Sequence, residues 1–342
     1  MKAAIAAIEY HLPEKIVSNQ DLADEFPEWS MEKIGSKTGI ETRHIAAPGE
    51  TASDLGVLAA RKLFATGVVV PGNIDYLIFC SQAPDYFLPT TACIMQHSLE
   101  IPVTAGALDI NLGCSGYVYG LGLSKALIET GQANKVLLIT ADTYSRFIHP
   151  GDKSVRSLFG DGAAATLIEA TEAESYPIDA LVYGTDGSGA ENLIVPTGGA
   201  RRARDDKSAQ VTYDKYGNLR SPNNLYMNGQ EIFTFTLRAV PKLVKDVLAK
   251  ANLDLSEIDL FVFHQANAYM LESIRKKLGI APERFMLHMA QCGNTVSSTI
   301  PIALKHAVLE DRLKPGQNAM IIGFGVGYSW AGAILRWHPA PV

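Results

Sequence analysis

The chain repeats itself at long range, and this echo constrains the fold more than any other feature of the sequence. Residues 74–79, IDYLIF, return 184 positions later as IDLFVF at 258–263. The same offset relates ANKVLLIT at 133–140 to QNAMIIGF at 317–324. Two matches in one register indicate a duplication. Each copy reads as a short apolar run, a helical stretch, a further strand, a helix that starts at a turn, and another buried strand, which is βαβ logic used twice. The helical stretches GLSKALIETG (122–131) and ALKHAVLEDRLKPG (303–316) carry apolar residues at helical spacing and end in glycine, a common helix terminator. Polar, turn-rich TEAESYP marks the boundary, dividing residues 1–174 from 175–342. Two such α/β halves bury their apolar faces by packing their sheets against shared helices. Strand ends and helix starts of both halves then face one cleft, where chemistry is expected.

Composition removes several function classes. With 342 residues, 47% of them hydrophobic, the chain can bury a large core. A net charge of −6 offers no general attraction to nucleic acid or anionic lipid. The N-terminal apolar stretch is six residues long, too short for a signal-peptide core, so a cytoplasmic protein is expected. Cys80, Cys93, Cys114 and Cys292 form neither a disulfide framework nor a metal-ligand spacing. Residues 319–335, AMIIGFGVGYSWAGAIL, are uncharged, but their four glycines predict two buried strands around a turn rather than a membrane span. The polar segment 196–224 has weak periodicity and reads as a surface excursion or lid.

Within this frame Cys114 stands out. The run VTAGALDINLGCSGYVYGLGLSKALIETG is an apolar strand, a Gly-flanked turn and a helix that begins near the cysteine, a setting that exposes a thiol to the positive end of a helix dipole and favours the thiolate. Most free cysteines are small buried hydrophobes, and Cys80, Cys93 and Cys292 keep that reading. The repeat supplies candidate partners for Cys114. The second-half strand matching IDYLIFC ends in His264, and Asn294, 180 residues after Cys114, occupies a pseudo-equivalent helix start. A core histidine and a helix N-cap are the ordinary uses of those residue types. GFGVGYSW (323–330) can direct backbone N–H groups at a developing oxyanion, although most Gly-rich turns only reverse the chain.

DINLGCSGYVYGL, FHQAN, GNTVSSTIP and GFGVGYSW, in this order, resemble the 3-oxoacyl-[acyl carrier protein] synthase III family of thiolase-like condensing enzymes. KTGIETRHIA, LFGDGAAA, MNGQEIF and KKLGI extend the resemblance nearly end to end. It implies a duplicated thiolase-like fold of five alternating αβαβα layers, a homodimer, and catalysis by Cys114, His264 and Asn294, with the backbone N–H groups of Cys114 and Val326 as oxyanion hole. Acyl-CoA and malonyl-[acyl carrier protein] are then the substrates, with no other cofactor and no metal. Cys114 would take the acyl group, and His264 and Asn294 would assist a decarboxylative Claisen condensation. The resemblance further assigns Lys33, Lys37, Lys153, Gly229, Gln230 and Asn267 to the acyl-CoA or pantetheine path, Arg275, Lys276 and Lys277 to carrier-protein docking, and Phe87, Leu88 and Phe324 to the acyl pocket. The missing second cysteine in GFGVGYSW argues against thiolases, and Asn294 in place of a second histidine argues against elongating ketosynthases.

The chain departs from the family on the CoA side. Lys33 and Lys37 stand where Trp and Arg hold the adenine, Gln230 replaces an Asn, and Ala268-Tyr269 follows HQAN. These departures leave open a specialised acyltransferase or condensing enzyme of secondary-metabolite or surface-polysaccharide synthesis. A catalytically silent thiolase-fold binding protein is the third reading.

Overall fold

The apolar runs of the repeat become central strands of two sheets in the computed structural model, which describes residues 1–28, 30–172 and 177–338. The expected division between 174 and 175 falls outside the described residues. The first sheet comprises β1 (Lys2–His11), β2 (Tyr76–Cys80), β3 (Gly106–Ile110), β4 (Lys135–Asp142) and β5 (Gly162–Thr171), in the order β1-β5-β4-β2-β3. The second comprises β6 (Ile178–Thr185), β7 (Leu260–Phe263), β8 (Asn318–Gly325) and β9 (Ser329–Arg336), in the order β6-β9-β8-β7. Directions match pair by pair: β4 runs parallel to β2 and antiparallel to β5, as β8 does to β7 and β9.

One position differs. Where the first sheet adds β3, the second has a single parallel bridge between Phe261 and Phe285. Beyond it the chain leaves the ladder, and the N–H of His288 is taken instead by the side chain of Gln265 at 2.6 Å. The further strand expected in the second copy is thus reduced to one bridge.

Continuous apolar strands suit a sheet that is buried on both faces, because successive side chains point in opposite directions. Val136 and Leu138 of β4 enter the core between the sheets, whereas Leu137 and Ile139 face the outer helices. The helices α3 (Gly116–Glu129) and α6 (Thr299–Leu309) lie between the sheets, their Val118, Leu121, Ile300 and Leu304 sharing one core with Ile78, Leu138, Val262 and Ile321. Outside the first sheet, α1 (Ala52–Ala65) and α2 (Thr91–Ser98) pack on Leu77, Phe79 and Ile139. Outside the second, α4 (Gly229–Ala251) and α5 (Ala268–Leu278) cover Phe263, Ile322 and Ile334. The result is the αβαβα stack. Residues 319–335 form the β8–β9 hairpin, with Gly325 opposite Ser329. No described helix is long and apolar enough to cross a membrane.

Candidate active site

β3 ends at Ile110 and α3 begins at Gly116, so Cys114 sits in the tight passage between them, 5% exposed. The N–H groups of Val326 and of Cys114 itself face the sulfur. Gly325 makes that approach possible, since a Cβ there would lie 2.8 Å from Sγ. The expectation of a thiolate is corrected at this point. Burial, and secondarily the carboxyl of Asp142, push the Cys114 thiol up to about 12. Desolvation outweighs the donors and the helix terminus here, and Cys114 is held as a protonated thiol.

His264 follows the last residue of β7, and its N–H donates to Ile322 O at 2.8 Å. Its Nδ1 pairs with Thr299 Oγ1 at 2.7 Å, and its ring meets Phe324 edge-on at 5.6 Å. Burial holds the imidazole down at about 3, so the ring is neutral. Asn294 is fixed by its backbone, donating to Leu158 O at 2.9 Å and accepting from Gly160 N at 3.0 Å. Its Oδ1 accepts from Val296 N at 2.9 Å and its Nδ2 lies 3.5 Å from Ala266 O. Gly160 must be glycine for this approach, as a Cβ would sit 2.3 Å from Cys292 O. Fully buried Arg43 braces the same region, donating to Asn19 Oδ1, Val17 O and Ser157 O.

Cys114, His264, Asn294 and Phe324 line one inner chamber of 90 Å³, with Gly229, Asn267 and Met270. The last three also line an outer cleft of 860 Å³ that includes Lys37, Gln230, Phe233 and Tyr269. Cys114 thus lies at the bottom of a path from solvent. Tyr269, 63% exposed, stacks on Phe233 at 5.6 Å. A neighbouring chamber of 670 Å³, which shares Leu193 with the inner one, is lined by Phe87, Tyr144 and Val326 and by Gly198, Gly199 and Arg204 of the 196–224 excursion.

Some expected contacts are placed elsewhere. Lys153 pairs with Glu28 and lies over Phe26, so Ser154 rather than Lys153 faces the cleft. The Lys33 side chain lies outside the described residues. Leu88 is 82% exposed and does not line the chamber that Phe87 reaches; Phe324 is buried against His264. Arg275 is occupied by Glu272 and by Ile280 O, and Lys277 donates to Leu237 O, while Lys276 is exposed.

Other groups escaped the sequence reading. Asp142 closes an otherwise apolar strand, KVLLITAD, and is fully buried beside Cys114. The anomaly of a carboxylate ending a buried run was a usable signal. Arg238, Lys242 and Lys245 join Lys277 around a 500 Å³ groove between α4 and α5. His288, His306 and Glu310 also gather, with ligand atoms within 4.8 Å of one another. The two imidazoles stack at 3.7 Å, which sets their lone pairs side by side instead of on one point.

Comparison with known proteins gives a consistent picture. A model of 3-oxoacyl-[acyl-carrier-protein] synthase III matches residues 108–187, and one of the C-terminal part of that enzyme matches 248–337. A beta-ketoacyl-[acyl-carrier-protein] synthase III 2 from Halalkalibacterium halodurans is 38% identical over 98% of this chain and 97% of its own. A crystal structure of a 3-oxoacyl-(acyl-carrier-protein) synthase III is 53% identical, with a TM-score of 0.98 over 98% of this chain and 100% of that one. A 3-oxoacyl-(acyl-carrier protein) synthase from Burkholderia xenovorans is 41% identical, with a TM-score of 0.90 over 99% and 95% of the two chains.

Proposed function

The chain belongs to the 3-oxoacyl-[acyl-carrier-protein] synthase III family of condensing acyltransferases, and on that premise we propose that Cys114, His264 and Asn294 carry its two half-reactions. The observation that supports this division is the single 90 Å³ chamber to which both halves of the duplication contribute. In the first half-reaction Cys114 Sγ attacks the carbonyl of an acyl thioester. The donor's C–S bond breaks, its thiolate leaves, and the Cys114 proton passes to it. The N–H groups of Val326 and Cys114 receive the oxyanion; losing one such donor typically costs about 3 kcal/mol of transition-state stabilisation.

In the second half-reaction a malonyl thioester loses CO₂. The electron pair left on C2 is delocalised onto the thioester oxygen, where neutral donors are needed. In the neutral tautomer whose Nδ1 accepts from Thr299 Oγ1, His264 presents its Nε2–H for this task, and Asn294 presents Nδ2–H. C2 then attacks the acyl carbonyl, the Cys114 C–S bond breaks, and the sulfur takes one proton from solvent, the proton consumed when a malonyl carboxylate leaves as CO₂. A neutral histidine suits the step because its N–H can hydrogen-bond the enolate oxygen without giving up the proton that would quench the C2 nucleophile.

Acyl-CoA as donor and an acidic carrier protein as acceptor fit the outer surface. The groove lined by Arg238, Lys242, Lys245 and Lys277 adjoins the cleft through Phe233 and Leu237 on α4; Arg238 pairs there with Asp186 and Lys242 with Asp246, so an acidic partner would have to share or displace those carboxylates. A homodimer fits the opposite side. β3 is a sheet edge, its Asp109 holds the N–H groups of Thr91 and Ala92, and nearby Phe87 and Leu88 are 89% and 82% exposed. A second copy pairing there would close the edge and cover those side chains. Sedimentation should then report twice the 36.9 kDa chain mass.

The 670 Å³ chamber favours one specialisation, a primer acyl group larger than acetyl, since that volume lies within the roughly 300–1,000 Å³ of ordinary ligand pockets. The test incubates the enzyme with a panel of acyl-CoAs and malonyl-carrier protein, following intact mass and CO₂ release. An acyl adduct lost in Cys114→Ala together with CO₂ release supports condensation. An adduct without CO₂ supports transfer to another acceptor, and no adduct with any donor overturns both.

A further inference from the structure

Two strand ends hold equivalent places in the duplication and reach across it in opposite directions. Val326, after β8 of the second half, offers its N–H to Cys114 at the helix start of the first. Asp142, 184 residues earlier and at the end of β4, reaches the helix start of the second half. One carboxylate oxygen accepts the Gln82 N–H at 2.9 Å; the other accepts the Ser297 Oγ–H at 2.5 Å and its N–H at 3.3 Å. Ser297 belongs to a turn in which four consecutive residues each hold one group. The N–H of Val296 holds Asn294 Oδ1, Ser297 holds Asp142, Ser298 meets Thr140 Oγ1 at 3.0 Å, and Thr299 Oγ1 holds His264 Nδ1. Val296 adopts φ +55°, a conformation that costs a β-branched residue energy and persists only when its surroundings fix it.

We infer that Asp142 is a positioning residue for condensation, pinning the 296–299 turn so that the Asn294 amide and the His264 ring stay aimed into the reaction chamber. The inference rests on the proposed condensing role of those two residues. Asp142 also acts on the nucleophile by its charge. Cys80 at the end of β2, Cys114 ahead of α3, Tyr144 after β4 and Asp161 ahead of β5 are the titratable groups facing it, and its charge raises the thiol of Cys114. Burial in turn pushes Asp142 up to about 7, so its charge changes across the working pH range.

These two actions predict effects of opposite sign. In Asp142→Asn the iodoacetamide reaction of Cys114, followed on its own peptide by mass spectrometry, should shift to lower pH and run several-fold faster at pH 7.5. Exposed Cys93 serves as the internal control and should not change. CO₂ release from malonyl-carrier protein by the pre-acylated variant should fall at least tenfold. Ser297→Ala keeps the carboxylate but loosens the turn, so at pH 8.5 it should slow CO₂ release and leave Cys114 alkylation at the wild-type rate.

Parallel losses in alkylation and CO₂ release, tracking the fraction unfolded, would show a purely structural role and overturn the inference, as would wild-type CO₂ release in either variant. Should Asp142→Asn not fold, Ser297→Ala decides alone on its two readouts. If the wild type itself releases no CO₂, the condensing assignment fails. Unchanged Cys114 alkylation in Asp142→Asn would then overturn the charge effect separately.

Discussion

The two halves agree in strand order and direction but differ at the strand ends, where their side chains do unlike work. Cys80 and His264 are equivalent by the 184-residue offset, and both end a buried strand. In the first half the position is sealed. The Cys80 thiol donates to Leu112 O at 3.2 Å, and a Cβ on Gly116 would lie only 2.3 Å from its sulfur. In the second half the same position opens onto the chamber and carries a neutral imidazole. Cys114 and Asn294, Asp142 and Val326 divide in the same manner, with a thiol and a carboxylate on one side, and an amide and a backbone donor on the other. Duplication supplied two similar clefts, and divergence made one site from them, so neither half holds a complete set of groups.

The sharpest way to break this comparison is to remove each half's contribution in turn. Cys114→Ala should abolish acyl-adduct formation and lower condensation by on the order of 10⁴-fold or more. His264→Ala and Asn294→Ala should instead retain an acyl adduct on Cys114, while CO₂ release falls by about 10²–10³ for each donor lost. Intact mass and CO₂ release, measured on the same samples, separate the halves. Equal loss of both activities in all three variants would end the division of labour proposed here.

The backbone contribution of the second half is next in size. Gly325→Ala would drive a methyl to within 2.8 Å of the Cys114 sulfur and displace the Val326 N–H behind it. Acylation should slow by roughly 10², about the value of one oxyanion donor. Burst kinetics with acyl-CoA measure it, and a wild-type burst would show that this N–H does not face the reacting carbonyl.

Much of this arrangement was legible before any coordinates. The offset between IDYLIF and IDLFVF placed β2 and β7, and the uncharged run 319–335 divided at its glycines into the β8–β9 hairpin. Cys114, His264 and Asn294 could be nominated because the repeat predicted where they would meet. What stayed hidden depends on contacts far apart in sequence. The protonated state of Cys114 follows from the depth of its burial, which no local motif records. Pairing of Lys153 with Glu28, and of Arg275 with Glu272, removes two cations that looked free in the sequence. Arg238, Lys242 and Lys245 stand at i, i+4 and i+7 on one face of α4, a spacing open to sequence reading; what needed the fold is that Lys277 of α5 lies across the same groove.

Arg43 tests the bracing between the halves at smaller cost. It lies in the first half, yet its Cβ is within 3.1 Å of the position a Cβ on Gly293 would occupy, and its guanidinium closes three oxygen acceptors. Burial lowers it to about 10, so it stays charged at neutral pH. Arg43→Met should leave buried acceptors unsatisfied and cost about 3 kcal/mol in urea unfolding. CO₂ release should fall more than acylation, because Gly293 precedes Asn294. A variant as stable as wild type would show that water replaces the guanidinium.

The finest distinction is the response to acid. Two buried carboxyls of the first half are pushed upward, Asp142 to about 7 and Asp161 in the same direction, both by burial first. Two histidines of the second half are pushed downward, buried His264 to about 3 and half-buried His288 to about 4, again by burial first. Between about pH 4 and 7 the folded chain holds Asp142 protonated where the unfolded chain has lost that proton, so this contribution to stability declines as pH rises. Between about pH 4 and 6.5 the unfolded histidines bind protons that the folded chain refuses, so their contribution declines as pH falls. The opposing slopes flatten the wild-type profile, and single variants should tilt it. His288→Gln should lose less stability than wild type on going from pH 7 to pH 5, by urea midpoint, with a modest effect because the ring is partly solvated. Asp142→Asn should tilt the other way and lose more on acidification. Profiles that superimpose on wild type in both variants would mean that neither half's buried charges set the acid limit.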